Sequence, residues 1–474
     1  MNKEKQLIKN TAIVSIGKIC TQLITFFLLP LYTALLTTEQ YGVVDLMNTL
    51  VALFLPIVTL QIEQGIFRYL IDCREDIEGK RKIITTSMLF ITIQSVLYLV
   101  IFFIASSFIN NEYKYFLATN LIAGMFSTIL LQVSRGLGDN FKYAVGSFIS
   151  GVVIVVLNVI FIAGFKWGAY GMLAATLIGN VSCALYIFFS KKTYTYIKIK
   201  NFEKSTLKEM LKYSIPLVPN MISWWVVDAS NRTIVSSVLG VGMNGILSAA
   251  TKFSNVISTL YSVFNLTWTE SAAINIDSED RDEFFSKILD FIIRFFGALI
   301  LGIIAFMPFV FSIMINDNFG NAYYQIPILM LGSIFNIGTS FLGSIYVAKK
   351  ITKEIAKTSI LAAIINLVIC LSLVNFIGLY AASIATAISY FAMTVYRAID
   401  SRKYVKLKVN KNVVISYIII LIITIVFYYI QIKPICLVLA IIVAIYAVII
   451  NKNSIKFILN LLNKKRKDIT DKQN

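Results

Sequence analysis

Four basic residues interrupt stretches of the sequence that are otherwise long and apolar: Lys18, Arg232, Lys252 and Arg294. A charge at the centre of a bilayer costs about 2.5–3.5 kcal/mol on insertion scales, so such residues normally face a partner or a water-filled cavity. Arg294 lies near the end of its stretch, where a long side chain can reach the interface. The other three could bind an anion that crosses the membrane, and we predict Lys18, Arg232 and Lys252 as substrate-binding residues.

Two of the apolar stretches also carry polar stripes with helical spacing. In residues 11–25 the polar positions, including Lys18 and Gln22, recur every three or four residues, which places them on one helix face. A second stripe covers residues 248–269 and includes Asn255. Such stripes can join helices to one another, which would explain serine and threonine but not lysine. We favour a water-filled central cavity and include Gln22 and Asn255 in the predicted substrate site.

Carboxylates are the candidates for ion coupling, because the sequence contains no histidine. Asp45 and Glu63 both fall in the second apolar stretch. Asp228 precedes Arg232 by four residues, so these two side chains could instead form a structural ion pair on one helix. Proton or cation coupling would have to use carboxylates of this kind, and we predict Asp45 and Asp228 as the candidates.

Several kinds of chemistry are excluded by what the sequence lacks. Without histidine there is no HExxH metal site and no Ser-His-Asp or Cys-His catalysis. There is no GxxxxGK[ST] motif for ATP, and the five cysteines form no CxxC pair. A membrane polymerase or acyltransferase would be expected to have a large external loop with arginines, or histidine catalysis. The sequence therefore predicts no catalytic residues, no metal and no cofactor, and a protein that is not an enzyme.

The composition is that of an integral membrane protein. Of the 474 residues, 58% are hydrophobic and 14% are charged, whereas soluble domains are roughly 25% charged. Stretches of about 20 apolar residues can each cross the bilayer as a helix. We predict fourteen such spans, which lie near 11–35, 41–64, 83–108, 115–134, 144–165, 169–190, 213–237, 245–272, 288–314, 323–347, 356–375, 378–397, 412–431 and 434–451.

The basic residues indicate how these spans are oriented. Of the 43 lysines and arginines, 36 fall in loops on the same side as the N-terminus and only 3 fall on the other side. Because cytoplasmic loops are enriched in basic residues, this predicts that both ends of the chain are cytoplasmic. The net charge of +18 is therefore explained by topology and by anionic lipid headgroups. No nucleic-acid partner is needed to explain it.

Two pairs of segments indicate an internal repeat. Residues 158–176 resemble residues 366–383 at turns between two spans, and residues 37–46 match residues 240–249 more weakly. The repeat unit contains six helices, and an even number gives both copies the same orientation. Parallel repeats of this kind are typical of alternating access around a site between the halves.

We therefore predict an all-α polytopic membrane protein with two pseudo-symmetric six-helix bundles and two additional C-terminal helices. The connection over residues 201–212 places Phe202, Leu207, Met210 and Leu211 opposite lysines, which predicts an amphipathic helix in the membrane interface. The predicted divisions are an N-terminal bundle over 1–200, a C-terminal bundle over 201–411, a helix pair over 412–451 and a basic cytoplasmic tail over 452–474.

Three stretches of sequence carry a resemblance to a known family. PLYT at 30–33, LTTEQYGVVDL at 36–46 and QGIFR at 64–68 resemble the bacterial polysaccharide biosynthesis flippases, which move O-antigen or capsule repeat units. Their superfamily also contains the lipid II flippase and the multidrug and toxin extrusion exporters. The resemblance extends over the whole chain in its layout. Cations of the family's cavity on the first and eighth helices correspond to Lys18 and Lys252, although the family generally has more arginines there.

The resemblance implies a function in the bacterial cytoplasmic (inner) membrane. The chain would transfer an undecaprenyl-pyrophosphate-linked oligosaccharide between leaflets by alternating access through a cationic cavity, for capsule, O-antigen or exopolysaccharide synthesis. Its partners would be this substrate, membrane lipids and polysaccharide polymerase or chain-length proteins. The alternatives on the same fold are a lipid II flippase and a cation-coupled multidrug exporter, whose pocket is expected to be acidic and aromatic.

Overall fold

The chain is built from α-helices, and the described residues contain no β-strand. The structure is a computed structural model that describes residues 26–108, 111–349, 351–452 and 456, without the side chains of Asp228, Leu266 and Thr352. Its helices are α1 Leu29–Leu35, α2 Thr38–Thr59, α3 Ile62–Asp72, α4 Ile77–Ser106, α5 Lys114–Gly136, α6 Asn140–Asn158, α7 Gly168–Ser190, α8 Lys204–Ser214, α9 Val218–Val238, α10 Val241–Asn275, α11 Arg281–Met314, α12 Ala322–Ala348, α13 Thr352–Ile377, α14 Leu379–Asp400, α15 Lys411–Ile430 and α16 Lys433–Ile450.

Eleven of the described helices are long and apolar enough to cross a membrane, so the chain is a multi-pass membrane protein. They are α2, α4, α5, α6 with its π-helical continuation Val159–Gly164, α7, and α11 to α16. Helices α9 and α10 are also long, but their polar residues make them less apolar. Most of the predicted first span lies outside the described residues. The count of fourteen and the N-in, C-in orientation therefore stay predictions.

The chain divides into two compact units. The first contains the described parts of Met1–Ala249, Ile315–Gly320 and Ser359–Ala385, and the second contains those of Ala250–Met314, Asn321–Thr358 and Thr386–Asn474. Helices α10, α13 and α14 each contribute residues to both units. Because the units are defined by compactness, they do not test the predicted division into six-helix repeats, which stays a prediction.

An apolar core of the first unit lies among α3, α4, α5 and α8. Helix α8 is the amphipathic helix predicted over residues 201–212, and it does form. Its apolar face, however, packs against protein: Met210 is fully buried, and Leu207 and Leu211 pack against the same core. Gly65 on α3 permits the close contact, because a Cβ atom there would lie 3.2 Å from the carbonyl oxygen of Met210. Protein therefore covers the apolar face at these three residues, whereas Phe202 is exposed. The location of the helix at the membrane interface stays a prediction.

Helix α2 begins and ends at clear local signals. At its start, the hydroxyl of Thr37 accepts a hydrogen bond from the N–H of Gln40, whose side chain accepts from the N–H of Thr37, which is a capping box. At its end, Leu60 and Gln61 both adopt left-handed backbone conformations, with φ of 50° and 54°. The continuous span predicted over 41–64 is therefore broken between Thr59 and Ile62.

In the second unit, α15 and α16 pack against α11. Near the end of α15, Tyr428 and Tyr323 of α12 exchange hydrogen bonds: each hydroxyl donates to the other residue's carbonyl oxygen, at 2.7 and 3.1 Å. Their rings stack with centroids 4.2 Å apart. Apolar side chains on other faces of α15 and α16, such as Ile422 and Ile445, remain exposed, as expected for helices in contact with lipid tails.

Candidate functional site

A very close helix approach in the first unit joins the start of α2 to the start of α10. A Cβ atom at Gly42 would lie 2.0 Å from the carbonyl oxygen of Val241, and one at Gly245 would lie 2.1 Å from that of Thr38. Only glycine leaves room for two backbones at this distance. These residues belong to the weaker sequence repeat, in which Thr38 corresponds to Val241 and Gly42 to Gly245. Gly42 therefore contacts Val241 in the same way that Gly245 contacts Thr38, as in a contact with two-fold symmetry.

Asp45 lies one turn after Gly42 on α2 and accepts hydrogen bonds from side chains of two other helices. Nη1 of Arg232 on α9 donates to Oδ1 of Asp45 at 2.6 Å, and the hydroxyl of Ser248 on α10 donates to the same oxygen at 2.8 Å. Nδ2 of Asn244 donates to Oδ2 at 3.3 Å and to the carbonyl oxygen of Gly42 at 3.0 Å. We call Asp45, Arg232, Asn244 and Ser248 the Asp45 cluster.

A second contact between α9 and α2 keeps Arg232 in register with Asp45. Trp225 lies two turns before Arg232, and its indole Nε1 donates to the carbonyl oxygen of Thr49 at 2.9 Å. Thr49 lies one turn after Asp45, so the two contacts fall on the facing sides of the helices. The guanidinium of Arg232 is therefore positioned by both packing and an ion pair.

The Asp45 cluster joins two residues for which the sequence predicts separate roles, Arg232 in substrate binding and Asp45 in ion coupling. The Asp45 side chain is 9% exposed and that of Arg232 is 21% exposed, so the pair is mostly removed from water. In such surroundings the carboxylate compensates the guanidinium charge and fixes its orientation. Chemically, this presents an oriented, planar guanidinium whose counter-charge is built into the protein.

The side chains of three other predicted site residues are outside the part of the protein that the structure describes. Lys18 and Gln22 lie outside the described residues, and so does the side chain of Asp228. Lys252 and Asn255 lie on α10 in the second unit, where both side chains are half-buried. The structure brings two of the predicted site residues, Asp45 and Arg232, into direct contact.

Arg397 is a buried cation that is not among the site residues predicted from the sequence. Its side chain is 2% exposed and lies among α12, α13 and α14 in the second unit. Nε and Nη2 donate to Oγ1 of Thr358 at 3.0 and 2.8 Å, and Nη1 donates to the carbonyl oxygen of Thr339 at 2.9 Å. Gly343 leaves space for the guanidinium, because a Cβ atom there would lie 2.6 Å from Nη1.

In the sequence, Arg397 is one of the 36 basic residues assigned to loops on the side of the N-terminus, because the apolar run ends beside it. The structure corrects this: α14 continues to Asp400, and Arg397 is inside the packed protein. A signal was present, since Thr386, Tyr390, Thr394 and Arg397 recur every three or four residues. That spacing places Arg397 on the polar, inward-facing side of α14.

Comparisons with known proteins agree with this architecture. The sequence model of the polysaccharide biosynthesis protein family matches residues 7–268. A protein of the Lsg locus of Haemophilus influenzae is 23% identical over 266 residues, which are 55% of this chain and 64% of that protein. The match therefore spans less than two thirds of that relative's length.

Two classes of solved structure share the fold. The lipid II flippase MurJ in an inward closed conformation superimposes with a TM-score of 0.69 at 16% identity, covering 94% of this chain and 100% of that one. An inward-facing multidrug resistance transporter of the MATE family superimposes with a TM-score of 0.66 at 14% identity, covering 82% and 97%.

The family match covers more than half of the chain and includes every residue predicted for the substrate site. Together with the eleven apolar helices, it is consistent with a location in the bacterial inner membrane. The chain belongs to the polysaccharide biosynthesis protein family, as the resemblance of its sequence motifs indicates.

Proposed function

We propose that the chain is a flippase that moves an undecaprenyl-pyrophosphate-linked oligosaccharide across the cytoplasmic membrane for cell-surface polysaccharide synthesis. The observation that carries the proposal is the family match over residues 7–268. That range contains Lys18, Asp45, Arg232 and Lys252, the charges on which the proposed mechanism depends. The fold shared with a lipid flippase and with multidrug transporters supports the coarser statement, a membrane flippase or exporter.

The chemistry of the substrate matches these residues. A pyrophosphate carries negative charge that must be compensated while it crosses the apolar part of the bilayer. Lysines act toward phosphate as point charges, and an arginine can bind it with two parallel hydrogen bonds. Lys18, Arg232 and Lys252 would hold the pyrophosphate, while Gln22 and Asn255 would solvate the sugars. Asp45 would orient Arg232 when the substrate is absent.

The driving force would come from the membrane. A potential of 100 mV is worth about 2.3 kcal/mol for each elementary charge moved across it, enough to bias the direction of transport. Transport of this kind breaks no covalent bond, so the protein would act without catalytic residues or a cofactor. The lipid tail would stay in the bilayer beside α15 and α16, and polymerase or chain-length proteins would receive the product.

The extent of the fold match favours a lipid-linked substrate over a drug. MurJ superimposes on 94% of the chain, and the MATE transporter superimposes on 82%. The additional helices α15 and α16 would suit a fold that handles a long lipid tail. Lipid II itself is therefore the second candidate substrate, and a multidrug exporter is the third.

The test is to reconstitute the full chain in proteoliposomes and measure how much labelled lipid-linked oligosaccharide becomes accessible in the opposite leaflet. Lys18→Ala and Lys252→Ala should each slow exposure about tenfold or more, because each removes a charge-assisted contact worth about 1.5–3 kcal/mol. Lys433→Ala is the matched control, since Lys433 is exposed at the start of α16.

Each alternative predicts a different result in the same vesicles. Equal exposure in the wild type, both variants and the control would contradict the cationic mechanism. Movement of lipid II but not of the oligosaccharide would identify the second candidate. Transport of an organic cation in place of either lipid would identify the exporter.

A further inference from the structure

The break between α2 and α3 buries a carboxyl group that the proposed function does not use. Leu60 and Gln61 turn the chain in left-handed conformations, and the N–H of Gln61 donates to Oγ1 of Thr59 at 3.2 Å. Helix α3 then begins at Ile62, which places Glu63 in its first turn. The turn points Gln61 and Glu63 into the protein, where they are 5% and 3% exposed.

The two oxygens of Glu63 differ in their surroundings. Oε1 accepts a hydrogen bond from Nε2 of Gln61 at 3.0 Å. Oε2 is enclosed and forms no hydrogen bond with the residues that the structure describes, although the hydroxyl of Thr59 is a neighbour of the carboxyl group. An ionised carboxylate in this position would keep an unsatisfied charged oxygen away from water, which is strongly unfavourable. A group bound at Oε2 would remove that penalty.

No charged side chain of the described residues compensates Glu63. The helices packed against α3 are α4, α5 and α8. The charged residues of these helices are Glu78, Lys80, Arg81, Lys82, Lys114, Arg135, Lys204, Lys208, Glu209 and Lys212, and α3 itself carries Arg68 and Asp72. Arg68 pairs with Asp72, Arg81 with Glu78 and Lys82 with Glu203. Arg135 lies over the ring of Phe67. Among the described residues, Glu63 is therefore buried next to Thr59 and has no counter-charge.

We propose that Glu63 is a proton-binding site at the joint between α2 and α3. A proton fits because one oxygen is available, whereas a metal ion needs several ligands, and the described residues hold no cluster of three metal-binding side chains. A proton on Oε2 can be donated to the hydroxyl of Thr59, which has acceptor capacity left. The N–H groups at the start of α3 favour the ionised form, so the group can release the proton as well as bind it.

Binding or loss of this proton would affect the structure at the joint between α2 and α3. Loss of the proton creates a buried charge between the end of α2 and the start of α3, and the left-handed turn at Leu60 and Gln61 is where the two helices can change direction. In the transport cycle, Glu63 would then carry the coupling proton, which assigns that role to a residue other than Asp45 or Asp228. The role in transport rests on the proposed function; the binding site does not.

Infrared difference spectroscopy of the full chain in lipid tests the site directly. As the pH falls, the wild type should gain the carbonyl stretch of a protonated carboxylic acid before exposed carboxylates, whose ordinary pKa values are about 4, become protonated. Glu63→Gln, which keeps the shape of the side chain, should lose this band. Asp45→Asn should keep it. Glu63→Asp should retain a band at a shifted position, and this second variant decides the matter if Glu63→Gln does not fold.

Two outcomes would overturn the proposal. One is the absence of the band in the wild type, or its persistence in Glu63→Gln. The other is a carboxyl signal that responds to sodium in place of potassium at constant pH, which would identify an alkali-cation site. Because the spectra need no substrate, this failure is distinguishable from failure of the flipping assay. If the site is present, flipping by Glu63→Gln should lose its dependence on a pH gradient.

Discussion

Each compact unit contains an arginine where helices lie close together, but Arg232 is partly exposed and Arg397 is buried, and the surroundings of the two side chains differ. In the first unit, Arg232 binds a carboxylate, Asp45, at 2.6 Å. In the second, Arg397 donates to neutral oxygens, namely the hydroxyl of Thr358 and the carbonyl group of Thr339. A glycine makes room in both places: Gly42 for a neighbouring backbone and Gly343 for the guanidinium itself.

The difference indicates what each region can do. The Arg232–Asp45 pair joins two charged side chains, so an anionic ligand could compete with the Asp45 carboxylate for the guanidinium. Arg397 joins three helices through two fixed acceptors. One is the backbone carbonyl oxygen of Thr339, and the other is the hydroxyl of Thr358, which is buried. We therefore interpret Arg397 as a structural brace and Arg232 as a group that can exchange partners. The predictions below test this comparison.

The largest effect is expected from Arg397→Ala, which removes the brace and leaves buried oxygens unpaired. It should lower the free energy of unfolding by about 3–5 kcal/mol, measured by thermal or denaturant unfolding in detergent. Arg397→Lys should fall between the wild type and alanine, because lysine lacks the planar fork. Arg402→Ala, at an exposed position after the same helix, is the control. Equal stability of the Arg397 and Arg402 alanine variants would refute the brace.

The second effect compares the two glycines. Gly42→Ala should cost about 1–3 kcal/mol, because its Cβ would meet an immobile backbone carbonyl. Gly343→Ala should cost less, since its Cβ meets the end of a side chain that can shift. Gly302→Ala is the control, with no atom within 4 Å of the added Cβ. A larger loss at Gly343 than at Gly42 would show that the surroundings of Arg397 are the more rigid region.

The third effect concerns the ion pair. Asp45→Asn should cost about 1–2 kcal/mol, because the guanidinium loses its counter-charge but keeps a hydrogen-bond acceptor. Combining it with Arg232→Gln in a double-mutant cycle should give a coupling free energy of about 0.5–3 kcal/mol. Additive losses in the two single variants would mean that the observed contact contributes no net coupling.

The smallest effect is expected from an exposed pair outside the membrane, Lys349 and Asp277, joined at 2.5 Å. The hydrogen bond and charge of Lys349 lower the pKa of Asp277 below its ordinary value. Its stabilising contribution is therefore present at neutral pH and is lost as the pH falls through that lowered pKa. Asp277→Asn should slightly lower the melting temperature at neutral pH, with no difference in strong acid. Glu279→Gln, at a nearby exposed position, should have no effect at either pH.

Much of the helical layout could be predicted because it depends on local composition. The span predicted over 169–190 is α7, Gly168–Ser190, and the one predicted over 434–451 is α16, Lys433–Ile450. The break after Thr59 could not be predicted, because leucine and glutamine rarely adopt left-handed conformations. Arg397 was misplaced for a related reason: the end of an apolar run does not mark the end of a helix.

The candidate site was predicted only as a set of residue types. The sequence indicates that Arg232 needs a partner and proposes Asp228, the acid one turn away, among the alternatives. The partner that the structure describes is Asp45, which is 187 positions distant in sequence. Lys18 and Gln22 lie outside the described residues, so their part in the site stays a prediction.

By itself, the sequence determined that this is a helical membrane protein with charges that must be compensated inside it. Those properties follow from hydrophobicity and charge summed over short stretches, which neighbouring residues decide. Only the tertiary structure decided which charge meets which partner: Asp45 with Arg232, Arg397 with Thr358, and Glu63 with Gln61. Such pairings depend on the register of helices that pack side by side, and a glycine contact such as Gly42 with Gly245 sets that register across two hundred residues of chain.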